Sequence, residues 1–120
     1  MRALLIDPYN KEIREVVHDG TLKSIYALLD CQMIEAPVHY NNNDIIYCNE
    51  EAWLRSGADT ILAGFMFPGW SYAILERGLI VGTDDEGNDV DCKSVINDFK
   101  DIIWMDHYEM KNQGVLMDLL

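Results

Sequence analysis

The sequence predicts an α+β fold, a mainly antiparallel sheet of about five strands with two principal amphipathic helices on one face. Short apolar runs between turn residues predict the strands, and two stretches with apolar residues three and four places apart predict the helices. The chain has 120 residues, of which 49% are hydrophobic, which suits one domain with a single core. We predict that this domain spans residues 1–103 and that residues 104–120 form a C-terminal tail, docked on the domain or placed at a subunit interface.

A β-hairpin and a helix come first. Residues 3–6 are a short apolar strand ended by an Asp-Pro pair, and residues 12–18 follow as the hairpin partner. The sequence Asp-Gly-Thr at positions 19–21 is typical of a helix start, so it predicts the first principal helix directly after the hairpin. The apolar face of this helix comprises Leu22, Ile25, Tyr26, Leu28 and Leu29.

The middle of the chain predicts further strands. Residues 33–40 are extended, and Pro37 indicates an edge position or a bulge, because proline cannot donate a hydrogen bond to a neighbouring strand. An asparagine-rich turn then leads to a strand at 45–48. Residues 61–67 predict another strand, while residues 71–76 fit either a helix or a strand.

The stretch from residue 78 to residue 103 organises the fold. Residues 79–81 are an apolar run between two glycines and predict a buried strand. An acidic turn containing Gly87 follows, since glycine adopts the positive φ of a tight reversal. Asp91 is then placed as the N-cap of the second principal helix. The predicted apolar stripe of that helix comprises Cys92, Val95, Ile96, Phe99, Ile102 and Ile103.

The chain is strongly acidic, with a formal net charge of −12. Residues 84–109 contain nine acidic side chains against two lysines, a balance of −7. A surface of this charge repels the phosphate backbone, so we expect no direct binding to nucleic acid. The acidic cluster is either a solvated face or a surface for a basic partner, and its candidate binding residues are Asp98, Asp101 and Asp106.

An aromatic turn at residues 65–72 is the second candidate site. Phe65, Trp70 and Tyr72 surround a Pro-Gly turn. Flat rings offer a large contact area at a small cost in entropy, which suits a ligand-stacking loop or a protein hot spot. The same residues can close one end of a core, so both interpretations stay open. In the ligand interpretation, Arg2 or Arg77 lies near the phosphate of a nucleotide.

The sequence contains no signature of catalysis or metal binding. No nucleophile elbow or paired Cys-His pattern occurs, and we interpret His18, His39 and His107 as surface or strand-end residues. The acidic turn at 84–89 departs from the calcium-loop pattern, which needs a glycine at its sixth position. The three cysteines are interpreted as reduced, buried thiols. We therefore expect a protein without enzyme activity, cofactor or metal.

The apolar runs of the chain are all short. None approaches the roughly 18 to 20 residues that span a bilayer. The first run is cut by Asp7 and Pro8 before it reaches the length of a signal peptide. We therefore expect a cytoplasmic protein with no membrane contact.

Four segments, taken in order and at their spacing, resemble a known family. They are the opening strand ending in Asp7-Pro8, the Asp19-Gly20-Thr21-Leu22 that leads into a helix, Asn49-Glu50-Glu51 after a strand, and Gly78-Leu-Ile-Val-Gly82. Over residues 1–103 the chain resembles domain-of-unknown-function family 3846, small proteins found chiefly in phages, prophages and other mobile elements of bacteria. Such proteins often have a glycine where this chain has Ala52, and the motif residues Asn49, Glu50 and Glu51 have no assigned role.

The resemblance implies an accessory protein of a phage or mobile element, and the residues favour binding over catalysis. The first interpretation is a protein that occupies a host protein through its acidic surface and inhibits a host process such as defence. The alternative is sequestration of a small nucleotide-like signal in an aromatic-lined pocket. An enzyme is the third and least favoured class. A homodimer formed through the C-terminal tail is compatible with the binding interpretations.

Overall fold

The computed structural model describes residues 1–40, 43–49, 63–70 and 73–106. Within these ranges the chain forms nine strands, one α-helix and a short 3-10 helix. In chain order they are β1 (Arg2–Asp7), β2 (Glu12–Val17), α1 (Leu22–Leu29), β3 (Ile34–Tyr40), β4 (Asp44–Asn49), β5 (Ala63–Met66), β6 (Ile74–Leu75), β7 (Gly78–Thr83), β8 (Asp89–Val90), the 3-10 helix (Ile96–Phe99) and β9 (Ile103–Asp106).

The strands build two antiparallel sheets. Six of them form the larger sheet in the order β2-β1-β7-β4-β3, with β8 paired to the end of β7, and the smaller sheet has the order β6-β5-β9. The prediction of a mainly antiparallel sheet is confirmed. The prediction of about five strands with two principal helices on one face is wrong, because the described fold has two sheets and a single α-helix. None of the helices in the described ranges is long and apolar enough to cross a membrane.

Strands β1 and β7 in the middle of the larger sheet are buried on both faces. On one face, Leu4 of β1 belongs to a core cluster that includes Phe65 of the smaller sheet. On the other face, Leu5 packs in a second cluster with Ile25 and Leu29 of α1. Successive residues of a strand point to opposite faces, so a strand between two covered faces is apolar throughout. This double burial explains the continuous apolar runs that form β1 and β7.

The second predicted helix is absent from the structure. After β8 the chain is irregular, makes the 3-10 helix and enters β9. Of the predicted apolar stripe, Cys92 and Phe99 are buried. Val95, Ile96 and Ile103 are instead exposed by 48%, 46% and 39%. An amphipathic helix would have turned all of these residues towards one covered face.

Hydrogen bonds to distant strands explain the missing helix. Asp91, the predicted N-cap, accepts the backbone N–H of Arg2 at 2.6 Å. The backbone N–H of Cys92 donates to the Arg2 carbonyl at 2.9 Å, and that of Ser94 donates to the Asp44 carboxylate at 2.8 Å. These tertiary hydrogen bonds hold the segment in a non-helical path, and they override its helical period.

Other local predictions are confirmed. β3 is an edge strand, and its register with β4 shifts between Glu35 and Val38, around Pro37. Thr21 caps α1 by accepting the backbone N–H of Ser24 at 3.1 Å. All three cysteines are buried and none of them forms a disulfide, as expected for reduced core thiols.

The predicted boundary at residue 103 falls at the start of β9. This strand pairs with β5, so the chain belongs to the smaller sheet as far as Asp106. The rest of the predicted tail, residues 107–120, lies outside the described residues.

Candidate functional site

The aromatic turn lies between β5 and β6, and its described rings pack into the core. Phe65 has no exposed surface and belongs to the core cluster shared by the two sheets. Phe67 is buried as well, and Trp70 packs edge-on against it with the ring centroids 4.5 Å apart. Gly69 has a φ of +87°, which suits the predicted turn. The described part of the turn therefore closes one end of the core.

The three acidic candidates are exposed. Asp98 lies in the 3-10 helix, Asp101 follows it and Asp106 ends β9. The Asp98 carboxylate accepts the backbone N–H of Val95 at 2.9 Å, which ties down the start of the 3-10 helix. A hydrogen bond from a neutral N–H leaves the negative charge in place, so Asp98 still contributes to the acidic surface.

Exposed apolar side chains accompany these carboxylates. Val95 and Ile96 lie at the start of the 3-10 helix, and Ile103 lies in β9. Protein contact surfaces combine exposed apolar and polar side chains, as this stretch of the chain does. We call residues 95–106 the acidic-apolar segment.

The acidic turn at residues 84–88 is built by one of its own carboxylates. Asp84 accepts the backbone N–H of Asn88 at 2.8 Å and that of Glu86 at 2.9 Å. These hydrogen bonds, with those from Asn88 contributing most, lower the pKa of Asp84. Over the part of the chain that the structure describes, no group of three histidine, cysteine or acidic residues could hold a metal ion. The Asp84 carboxylate therefore holds the turn in its conformation.

Three of the segments behind the family resemblance meet at one end of the larger sheet. Asp7 ends β1, Asn49 ends β4 and Gly78 begins β7. In the strand register, Ile6 and Cys48 both lie opposite Gly78. Asp7 and Asn49 therefore flank the residues that precede β7.

A buried polar cluster occupies this end of the sheet. The Asn49 side-chain amide donates to Glu76 Oε2 at 3.1 Å, and both residues are buried. Arg77 Nε lies 3.9 Å from Oδ1 of the buried Asp7, and this nitrogen has no hydrogen-bond partner in the described ranges. Five residues singled out from the sequence lie outside the described residues, namely Glu50, Glu51, Ala52, Tyr72 and His107.

A second polar network forms around a buried histidine. His18 follows β2, at the strand end that was one of the two predicted placements, and it has no exposed surface. Its Nδ1 lies 3.2 Å from Ser24 Oγ, and its Nε2 lies 2.9 Å from Asp89 Oδ2. The Tyr47 hydroxyl donates to Asp89 Oδ1 at 3.0 Å. Since 71 residues separate His18 from Asp89, no local spacing signals this contact.

The tautomer of His18 follows from its neighbours. Gly20 donates its backbone N–H to Nδ1 at 3.4 Å, so Nδ1 is an acceptor and Nε2 carries the proton that it donates to Asp89. Burial, and then the hydrogen bond to Asp89, raise the pKa of Tyr47 to about 12. Serine, histidine and aspartate are also the groups of a catalytic triad. Here the imidazole is enclosed and both of its nitrogens are paired, which is typical of a structural network.

Comparison with protein-family models gives a match over most of the chain. Residues 1–103 match the model of a family described as a domain of unknown function, DUF3846. The chain belongs to this family. The DUF3846 match extends from β1 to the first residue of β9. No curated protein and no solved structure gives a match.

The glycines of the fourth motif segment permit close packing in this DUF3846 protein. A Cβ atom at Gly78 would lie 2.6 Å from Phe65 Cζ. A Cβ atom at Gly82 would meet the carbonyl oxygen of Asp91 well inside van der Waals contact. These residues, like the helix cap Thr21, stabilise the fold.

Proposed function

We propose that this DUF3846 protein is a non-enzymatic accessory protein of a phage or mobile element, which binds a host protein through its acidic-apolar segment and inhibits a host process such as defence. It acts in the bacterial cytoplasm, and its partner presents a basic surface. The observation that carries the proposal is the exposure of three apolar side chains in the same segment as three carboxylates.

Both kinds of side chain in the segment contribute to the proposed contact. A face that only keeps a protein soluble needs charge but no exposed Val95, Ile96 or Ile103. Removing apolar surface from water is favourable by about 25 cal/mol per Å². The carboxylates attract a basic partner and discriminate against acidic ones. Apolar burial then stabilises the complex, and charge selects the partner.

The described aromatic residues give less support to sequestration of a nucleotide-like signal. A stacking site needs an open ring face. Phe65 is enclosed, and Trp70 packs against Phe67. Arg2, one candidate for a phosphate contact, forms an ion pair with Glu15 and donates to the carbonyl of Cys92 at 2.9 Å. The enclosed imidazole of the polar network likewise favours a protein without enzyme activity.

The test is the efficiency of phage plating on bacterial strains that express the protein and each carry one defence system. We expect the wild-type protein to raise plating on at least one strain. The variant Asp98→Asn/Asp101→Asn/Asp106→Asn should lose most of this effect, because it removes three negative charges. An amide oxygen at position 98 can still accept the Val95 N–H, so the 3-10 helix is retained.

A matched control variant distinguishes the effect of the acidic-apolar segment from the effect of total charge. Ala27→Lys/Gln32→Lys/Met33→Lys alters net charge by the same amount at three exposed positions outside the segment, and it should plate like the wild type. Thermal unfolding checks that both variants are folded. Equal loss of plating in both variants contradicts a role for the segment. A wild-type protein that raises plating on no strain contradicts inhibition of these defence systems.

A further inference from the structure

Strand β2 is an edge strand with an exposed outer side. It ends the larger sheet, and within the described ranges it pairs with β1 alone. Glu12, Arg14 and Glu15 are exposed, and Val17 is exposed by 81%. An edge strand offers a row of unpaired N–H and C=O groups to a further strand.

The hairpin determines which backbone groups of β2 point outward. Met1 and His18 exchange two backbone hydrogen bonds, with Met1 N to His18 O at 2.5 Å and His18 N to Met1 O at 2.8 Å. In an antiparallel ladder, such pairs alternate with pairs that are not hydrogen-bonded. The N–H and C=O groups of Ile13, Glu15 and Val17 therefore point away from β1.

The charges along β2 allow the strand to pair with an antiparallel copy of itself so that opposite charges face each other. Glu12, Ile13 and Arg14 follow one another in the strand, and within one copy Arg14 Nη1 donates to Glu12 Oε1 at 2.9 Å. If a second copy runs antiparallel with Ile13 opposite Ile13, each Glu12 faces an Arg14. Opposite charges directly across an antiparallel pair stabilise it.

We propose that two copies of the protein pair through β2, antiparallel about a two-fold axis at Ile13, and form one continuous sheet. The two Ile13 residues exchange N–H···O=C hydrogen bonds, which the outward direction of their backbone groups allows. The same strand serves both copies, so the interface is isologous and closes at two subunits.

Charge disfavours the neighbouring registers. An axis at Arg14 sets two arginines opposite each other, and an axis at Glu15 sets two glutamates opposite each other. Like charges directly across a pair are destabilising. A shift of one strand by a single residue would bring side chains of opposite faces together, and Ile13 already packs on one core cluster. The axis at Ile13 is therefore the register that the charges select.

Apolar groups at the ends of β2 extend the contact. Tyr9, exposed by 46%, lies in the turn before β2, and Val17 ends the strand. In an antiparallel pair, the turn of each copy reaches the Val17 end of the other. An open groove of about 580 Å³ lies there and can receive the Tyr9 ring of the second copy. Its lining residues are Met1, Arg2, Glu15, Val16, Val17 and Asp91.

Sedimentation equilibrium of the full chain at physiological salt measures the dimer dissociation constant. Glu12→Arg should weaken the dimer roughly tenfold or more, because two attractive pairs become repulsive. Arg14→Glu should weaken it similarly. The double variant Glu12→Arg/Arg14→Glu restores opposite charges and should restore the wild-type constant.

A mixture of the two single variants controls for misfolding. Positions 12 and 14 are then both positive in one copy and both negative in the other, so a heterodimer should form although each variant alone dimerises poorly. A wild-type chain that stays monomeric at millimolar concentration would overturn the proposal. A dimer whose constant neither single variant changes would also overturn it and would assign the contact to another surface, such as residues 107–120.

Discussion

The buried carboxylate of Asp44 accepts both the backbone N–H and the hydroxyl of Ser94, fifty residues later in the chain, at 2.8 and 2.5 Å. Asp44 has no exposed surface, and the backbone N–H of Lys93 also donates to it at 3.0 Å. A buried charge is stable only when such partners surround it. The contact directs the chain after β8, and so it helps to place the acidic-apolar segment that follows.

Replacing the carboxylate should therefore destabilise the protein. Asp44→Asn exchanges one acceptor oxygen for an NH₂ group that faces N–H donors, and we expect a loss of about 3 kcal/mol in the free energy of unfolding. Urea unfolding followed by circular dichroism measures the loss. Asp85→Asn, at an exposed turn position, should change it by less than about 0.5 kcal/mol. Similar values for the two variants would show that Asp44 has no special role.

The close approach of Gly82 to Asp91 predicts that replacing Gly82 by alanine destabilises the protein more than replacing Gly69 does. Gly82→Ala brings a methyl group against a backbone carbonyl that cannot rotate away, so it should cost about 3 kcal/mol or more. Gly69→Ala meets no atom within 4 Å and is strained only by its φ of +87°, so it should cost about 1 kcal/mol. Urea unfolding of both variants tests this order, and a Gly82→Ala protein as stable as the wild type would refute the close contact.

The raised pKa of Tyr47 predicts that the protein loses stability at alkaline pH. The pKa of Tyr47 is raised to about 12 in the folded protein, against about 10 in an unfolded chain. The unfolded chain therefore releases this proton first, and the contribution of Tyr47, complete below about pH 10, declines as the pH rises towards about 12.

The measurement compares the wild type with Tyr47→Phe. The free energy of unfolding between about pH 9 and about pH 11 should fall more steeply for the wild type, by roughly 1 kcal/mol after allowance for solvent screening. The other tyrosines are shared by both proteins and cancel in the comparison. Parallel pH profiles would contradict the raised pKa.

The strands were largely predictable because burial marks them locally. β1 and β7 are covered on both faces, which leaves continuous apolar runs bounded by turn residues. Pro37 predicted an edge position or a bulge, since a missing N–H is tolerated at few places in a sheet, and β3 has both. Thr21 belongs to an Asp-Gly-Thr sequence that is typical of a helix start, so this local pattern also predicted where α1 begins.

Contacts between distant residues explain what could not be predicted. The apolar period after Asp91 fits a helix, but the Asp44 carboxylate takes the N–H groups of that segment. In the sequence, Asp44 is one more polar residue of an asparagine-rich turn. The acidic candidate residues could be predicted from the charge of the sequence alone. The exposure of their apolar neighbours, such as Val95 and Ile96, could not be predicted, because the helical period assigned these residues to the core.

The affinity of the purified protein for a host protein captured on it tests the central proposal most directly. The dissociation constant should rise at least tenfold for Asp98→Asn/Asp101→Asn/Asp106→Asn and should rise with salt for the wild type. Ala27→Lys/Gln32→Lys/Met33→Lys should bind like the wild type. Equal affinity of the wild type and the acidic variant at every salt concentration would contradict binding through the acidic-apolar segment.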